Sequence, residues 1–226
     1  MKQALLTLTM LLAALTVQAQ EEPEYRLELG AGAGLVSYQG DFNGNLLRDL
    51  QPMGSLVARY KMNPRMAWTM SVGYGQLKGS SENANTWMPQ LTENPISFTS
   101  KLWNIDLRYE YNFWPFGTGR EYRGAQPLTP FISLGLGVAI AKVDETAAGM
   151  QLPIGAGVKY KLGNRLNLIA EWTMHFTGCD KLDGIEDPYG IKSSGIFKNT
   201  DCYSGLRVSL TYDLWAKCKT CNNDRD

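Results

Sequence analysis

A single histidine, only four cysteines and no excess of either charge set the first limits on this sequence. Lys plus Arg number 22 and Asp plus Glu number 22, so the overall charge recommends no nucleic-acid partner. Beyond the N-terminal stretch there is no run of about 18 apolar residues, so a membrane location would have to be reached without helices. With 44% hydrophobic residues and 23 glycines, the chain is neither disordered nor collagen-like, and a substantial core is possible.

The opening "MKQALLTLTMLLAALTVQAQ" sets one lysine before a short apolar run and reaches Val17, Gln18 and Ala19, a small-x-small pattern that signal peptidase accepts. Residues 1–19 are therefore expected to be a signal peptide, followed by a body over 20–215 and a tail over 216–226. No cysteine follows the expected cleavage point, which argues against a lipoprotein anchor. An exported chain can oxidise its cysteines.

What the sequence has in quantity is alternation. In "LWNIDLRYEYNFW", Trp103, Ile105, Leu107, Tyr109, Tyr111 and Phe113 fall on one face, and Asn104, Asp106, Arg108, Glu110 and Asn112 fall on the other. The same period of two recurs over 25–37, 53–62, 66–78, 101–114, 129–142, 151–162, 165–177 and 203–215, with turn-formers between. Eight strands of this length exceed the five or six residues usual in soluble sheets, and each suffices to cross a bilayer at a tilt. Export, an even strand count and long alternation together predict an all-β, eight-stranded antiparallel up-and-down transmembrane barrel of the outer membrane.

In such a barrel the apolar face meets lipid. The other face lines a narrow interior, expected to hold Arg26, Glu28, Arg59, Lys61, Asp106, Arg108, Glu110, Lys159, Lys161, Glu171, Arg207 and Asp213 as a paired plug rather than a conducting pore. Tyr25, Trp68, Trp103, Trp114, Trp172 and Trp215 suit interfacial girdles. Connection lengths place both termini in the periplasm, with loops at 38–52, 79–100, 143–150 and 178–202 outside and turns at 63–65, 115–128 and 163–164 inside. The turn at 115–128 is long and basic for its place, and is either a frayed hairpin or a docking surface.

Four cysteines raise the possibility of a tetrahedral zinc site, but the strand order separates them into two pairs about 30 Å apart. Cys179 and Cys202 stand at matched ends of strands seven and eight and are expected to form a disulfide. Cys218 and Cys221 could be a local disulfide, a redox motif or a link to a partner. His175 is the obvious acid–base candidate, yet no signature such as G-x-S-x-G accompanies it, so an interior hydrogen-bonded position near the outer rim is expected. Asp180, Asp183, Glu186 and Asp187 lack EF-hand spacing and read as a solvated loop face.

The stretches "ELGAGAGLVSYQGDFN", "YEYNFWPFGTGREY", "PFISLGLGVA", "LPIGAGVKYKLGNRLNLIAEW", "KLDGIEDPYG" and "CKTCNND" resemble the PorG-like outer-membrane barrel family of the Bacteroidetes type IX secretion system. The resemblance runs over nearly the whole mature chain. It implies a non-enzymatic accessory component, without cofactor or small-molecule substrate, that couples a periplasmic PorK/PorN ring to the outer membrane. A general structural barrel and an outer-membrane lipid-modifying enzyme are the alternatives. A ring approaching from the periplasm could reach the turn 115–128 and the tail, so Arg120, Tyr122, Arg123, Lys217, Cys218, Lys219 and Cys221 are the expected contact residues, their cations suiting an acidic partner.

Overall fold

An extended chain turns successive side chains to opposite sides, and each polar–apolar alternation in this sequence is resolved as one strand. The computed structural model describes residues 25–39, 48–80, 97–118, 124–143, 146–178 and 201–216. The strands are β1 (Tyr25–Gln39), β2 (Gln51–Asn63), β3 (Met66–Ser80), β4 (Ser97–Asn112), β5 (Leu128–Lys142), β6 (Thr146–Lys161), β7 (Leu166–Thr177) and β8 (Cys202–Ala216). Each pairs antiparallel with its neighbour in sequence, and β1 pairs with β8 from Tyr25↔Ala216 to Gln39↔Cys202, closing an up-and-down barrel with no free edge.

The sidedness is the reverse of a soluble sheet. Leu56, Leu136 and Met150 are 67%, 60% and 69% exposed, whereas Arg59, Arg108 and Glu110 are 2%, 1% and 0% exposed. Along β4 the pattern alternates strictly, with Trp103, Ile105 and Leu107 outward and Asn104, Asp106 and Arg108 inward. From Trp103 to Phe113 the outward wall runs about ten residues, which at the usual strand rise and tilt is about 25 Å along the membrane normal. That matches the apolar height of a bilayer-spanning barrel.

Glycine on the inward face lets the wall approach the lining. A Cβ at Gly135 would lie 2.6 Å from the Arg108 Cα, directly across the β4–β5 pair, so only glycine leaves room there for the arginine to cross the lumen.

Two expected connections differ. The loop expected over 143–150 is shorter than expected, because Ala147, Ala148, Gly149 and Met150 extend β6 against Ala141, Ile140, Ala139 and Val138. Small residues with weak strand propensity join the ladder there because a facing strand is already in place. The β4–β5 connection, in turn, is not a frayed hairpin at its base. Phe116 forms a parallel bridge with Gln126, the Gln126 N–H donates to the Pro115 carbonyl at 2.7 Å, and the Phe116 N–H donates to the Pro64 carbonyl of the β2–β3 turn at 3.0 Å.

Candidate functional site

The lumen is filled in three layers. Nearest the end where β1 begins and β8 ends, the Lys61 ammonium donates to Asp213 Oδ1 at 2.5 Å and lies 3.0 Å from Glu28 Oε2. Lys161 donates to Asp213 Oδ2 at 2.7 Å, and the Asn167 amide donates to Oδ1 of the same carboxylate at 3.1 Å. Phe116 folds over this layer from below, 7% exposed, with the Lys61 and Lys161 ammoniums 5.8 and 5.5 Å from its ring centroid. An aromatic face turned toward two cations suits it to closing that mouth.

The middle layer is held by two arginine forks. Arg59 spans the lumen, donating to Glu110 from Nε at 2.7 Å and from Nη2 at 3.1 Å while its Nη1 pairs with Glu28, to which the Thr211 hydroxyl also donates. Lys159 adds a bond to Glu110 Oε2 at 2.6 Å and stands 4.5 Å from the Phe131 ring centroid. Arg108 takes Glu171 in a second fork, and Arg207 donates to Glu171 Oε2 at 2.6 Å. Bidentate pairing is the geometry in which buried ions recover most of their lost hydration.

Toward the loop end the lining turns from ion pairs to side-chain hydrogen bonds around one carboxylate. Tyr203 donates to Gln151 Oε1 at 2.7 Å, Gln151 donates to Asp106 Oδ1 at 2.5 Å, and Asn104 donates to Asp106 Oδ2 at 3.0 Å. Above this relay an apolar cluster of Val36, Tyr38, Met53, Leu77, Phe98, Leu102, Ala139, Ala141 and Tyr203 closes the bore. The Tyr38 hydroxyl is bonded to Asp201 at the rim. The barrel is thus occluded by an aromatic cap at one end, salt bridges in the middle and an apolar plug at the other.

Eleven of the twelve expected lumen charges occupy the interior. Arg26 is the exception: it shares their strand parity but is exposed at the terminal mouth. His175 is interior, as expected, but its ring is stacked on Tyr203, with centroids 4.3 Å apart and planes 7° off parallel. Its Nδ1 lies 3.9 Å from Asp106 Oδ1, too far for a hydrogen bond. With Asn104 and Arg108, whose Oδ1 and Nε are likewise unbonded, it borders a small cavity that Met53, Asp106, Thr173, Gly205 and Arg207 complete. Among the described residues, no three His, Cys, Asp or Glu side chains group as metal ligands.

Of the girdle aromatics, Trp68 and Trp215 stand toward the terminal end and Trp103 toward the loop end, while Trp172 sits mid-wall opposite Ala156 and Leu206. In the β6–β7 turn, Arg165 lies 5.4 Å from the Tyr25 ring centroid. Hydrogen bonds with the Tyr212 and Tyr25 hydroxyls hold its guanidinium above the ordinary arginine range. Cys202 begins β8. Its expected partner Cys179 lies outside the described residues, as do the signal peptide, the acidic set Asp180, Asp183, Glu186 and Asp187, and the expected contact residues Arg120, Tyr122, Arg123, Lys217, Cys218, Lys219 and Cys221.

Sequence reasoning missed Phe116, Gln151 and Asp201. Asp201 and Gln151 fell outside or at the edge of the expected strands, and an aromatic residue in a Gly- and Pro-rich turn carries no periodic signal. Asn104 and Asn167 were visible on the polar faces, but only the register reveals that they complete carboxylate shells.

An apolar outer wall around an occluded, salt-bridged lumen defines an eight-stranded transmembrane β-barrel of the outer-membrane type. The chain belongs to the family described as Domain of unknown function (DUF6089), which matches residues 2–223. Among solved structures it is similar to Neisserial surface protein A (NspA), at TM-score 0.52 and 14% identity over 83% of this chain and 97% of that one. It is also similar to the outer membrane protein OprG from Pseudomonas aeruginosa, at TM-score 0.50 and 11% identity over 87% of this chain and 99% of that one. At such identities the likeness is one of fold. No curated protein matches the chain.

Proposed function

We propose that this barrel is a non-enzymatic outer-membrane anchor, both termini periplasmic, that docks a periplasmic ring of the PorK/PorN kind and so serves a type IX secretion apparatus. The observation that carries the reading is the anchored base of the β4–β5 connection. Phe116 is buried beneath the lumen, and its N–H bond to Pro64 ties the connection to the β2–β3 turn. A connection held at its base leaves the barrel from a defined point, which lowers the ordering cost of binding there. The occluded lumen supports the same reading, because a barrel that passes no solute acts through its surfaces. The resemblance to PorG-like barrels supplies the identity of the partner. Arg120, Tyr122 and Arg123 in this connection and Lys217, Cys218, Lys219 and Cys221 in the tail are the proposed contacts.

Co-purification from native envelopes tests the proposal. Replacing Arg120 and Arg123 with alanine and deleting 217–226 is expected to lower ring recovery while leaving barrel folding, read by heat-modifiable gel mobility, unchanged. Unaffected recovery in that variant, with loss on altering only the opposite loops, would refute the proposed surface. Recovery of no ring protein by the unaltered chain would favour a general structural barrel.

A further inference from the structure

Among the described strand residues, the outward face carries few cations, and at the loop end they are gathered on three neighbouring strands. Lys78 on β3, Lys101 on β4 and Lys142 on β5 all point out of the barrel and are exposed. Lys101 is directly opposite Lys142 across the β4–β5 pair. Lys78 is opposite Thr99, one outward step from Lys101, so it is the diagonal neighbour of Lys101. The loop-end outward positions of the other five strands, Gln39, Pro52, Thr146, Phe176 and Cys202, carry no cation.

Like charges directly opposite each other on neighbouring strands repel, and a sheet normally avoids them. Here no carboxylate among the described residues forms an ion pair with any of the three lysines. Cations at the terminal end are treated differently: Arg65 donates to the Phe113 carbonyl at 2.7 Å, and Arg165 lies against the Tyr25 ring. Among the described residues, the three lysines therefore form a concentrated positive patch with no carboxylate partner.

Depth narrows what could supply that counter-charge. Immediately below Lys101 on the same face, Trp103 pairs with Tyr74, ring centroids 4.7 Å apart, and Ile140 stands beside them. Aromatic pairs of this kind mark the boundary between hydrocarbon and headgroups, so the ammoniums reach headgroup depth while Ile105, Leu107 and Leu136 below face acyl chains. Three adjacent strands span about 10 Å, a width over which three cations can meet more than one phosphate of a single headgroup.

We propose that Lys78, Lys101 and Lys142 form a site on the outer wall for a phosphorylated glycolipid of the surrounding leaflet. Its phosphates neutralise the opposed ammoniums, its sugars rest against the Tyr74–Trp103 pair, and its acyl chains lie along the apolar wall of β3–β5. The assignment of this lipid to the outer leaflet rests on the orientation proposed above, whereas the binding itself does not.

Full-length barrel refolded in phosphatidylcholine nanodiscs would be titrated with bisphosphorylated lipid A, its dephosphorylated form or phosphatidylglycerol, and the retained lipid counted by native mass spectrometry. Near a membrane surface each lysine contributes about a fivefold preference for anionic lipid, so K78Q/K101Q/K142Q is expected to lose roughly a hundredfold in lipid A retention. The single variant K101Q supplies a sign test. Removing one of two opposed cations should raise resistance to unfolding in phosphatidylcholine alone and lower it when lipid A is present. Equal retention of the dephosphorylated lipid or of phosphatidylglycerol, or undiminished lipid A binding by the triple variant, would overturn the site. Purified protein without any ring component is used throughout, so failure here leaves the docking proposal standing, and failure of docking leaves this one.

Discussion

Glu110 is the residue whose removal should most clearly show how the lumen is held. Its carboxylate accepts two bonds from Arg59 and one from Lys159, and it is wholly buried. In Glu110→Ala, Arg59 keeps Glu28 and Lys159 loses its carboxylate partner, leaving an uncompensated cation in a closed bore. Breaking a buried ion pair from one side costs about 3–5 kcal/mol. That is about two to nearly four powers of ten in the unfolding equilibrium. Urea titration of the folded barrel in lipid vesicles, followed by tryptophan fluorescence and gel mobility, gives the difference directly. Glu110→Gln keeps the shape and some hydrogen bonding and should fall between wild type and alanine. A Glu110→Ala loss within about 0.5 kcal/mol of wild type, typical of an exposed pair screened by water, would refute a buried, paired carboxylate.

Planar-bilayer recordings of purified protein should show no stable large conductance, because Phe116, the salt bridges and the apolar plug each block the path; a steady open level would contradict an occluded lumen. Tyr203→Phe leaves Gln151 Oε1 without its donor and should cost about 1–2 kcal/mol in the same urea assay. Peptide mapping of the native protein without reductant should recover Cys179 linked to Cys202, a bridge worth about 3 kcal/mol in the chain-entropy description, and recovery of both as thiols would refute it.

The barrel itself was legible because lipid on one side and ions on the other force the same alternation on every strand. Along β4 no residue from Trp103 to Asn112 breaks the pattern, so its parity follows from the sequence alone. Ends were harder. Residues 146–150 join β6 through ladder bonds to β5, a tertiary effect that small side chains do not announce. The charged lining could be named residue by residue from parity, but its pairing could not. Glu110 meets Arg59 and Lys159, on β2 and β6, across the bore, while Glu171 takes one partner across and one from the neighbouring strand. Parity also puts Arg26 inside, whereas its place at the mouth exposes it. Phe116 shows the opposite limit: its role depends on a bridge and a turn contact that exist only once β2 and β3 are in place.

The inverted sidedness of the wall can be read one residue at a time. Single cysteines at 103–111 of β4, in a background with the native cysteines replaced by serine, would carry spin labels in reconstituted vesicles, and collision rates with oxygen and with a water-soluble nickel chelate would be compared. Labels replacing Trp103, Ile105, Leu107, Tyr109 and Tyr111 should collide freely with oxygen and little with nickel, and labels replacing Asn104, Asp106, Arg108 and Glu110 should meet neither. A period of two in oxygen access with a protected inner face is the expected result. High oxygen access at the even positions, or nickel access along the whole inner face, would contradict a lipid-facing apolar wall around a closed, salt-bridged lumen.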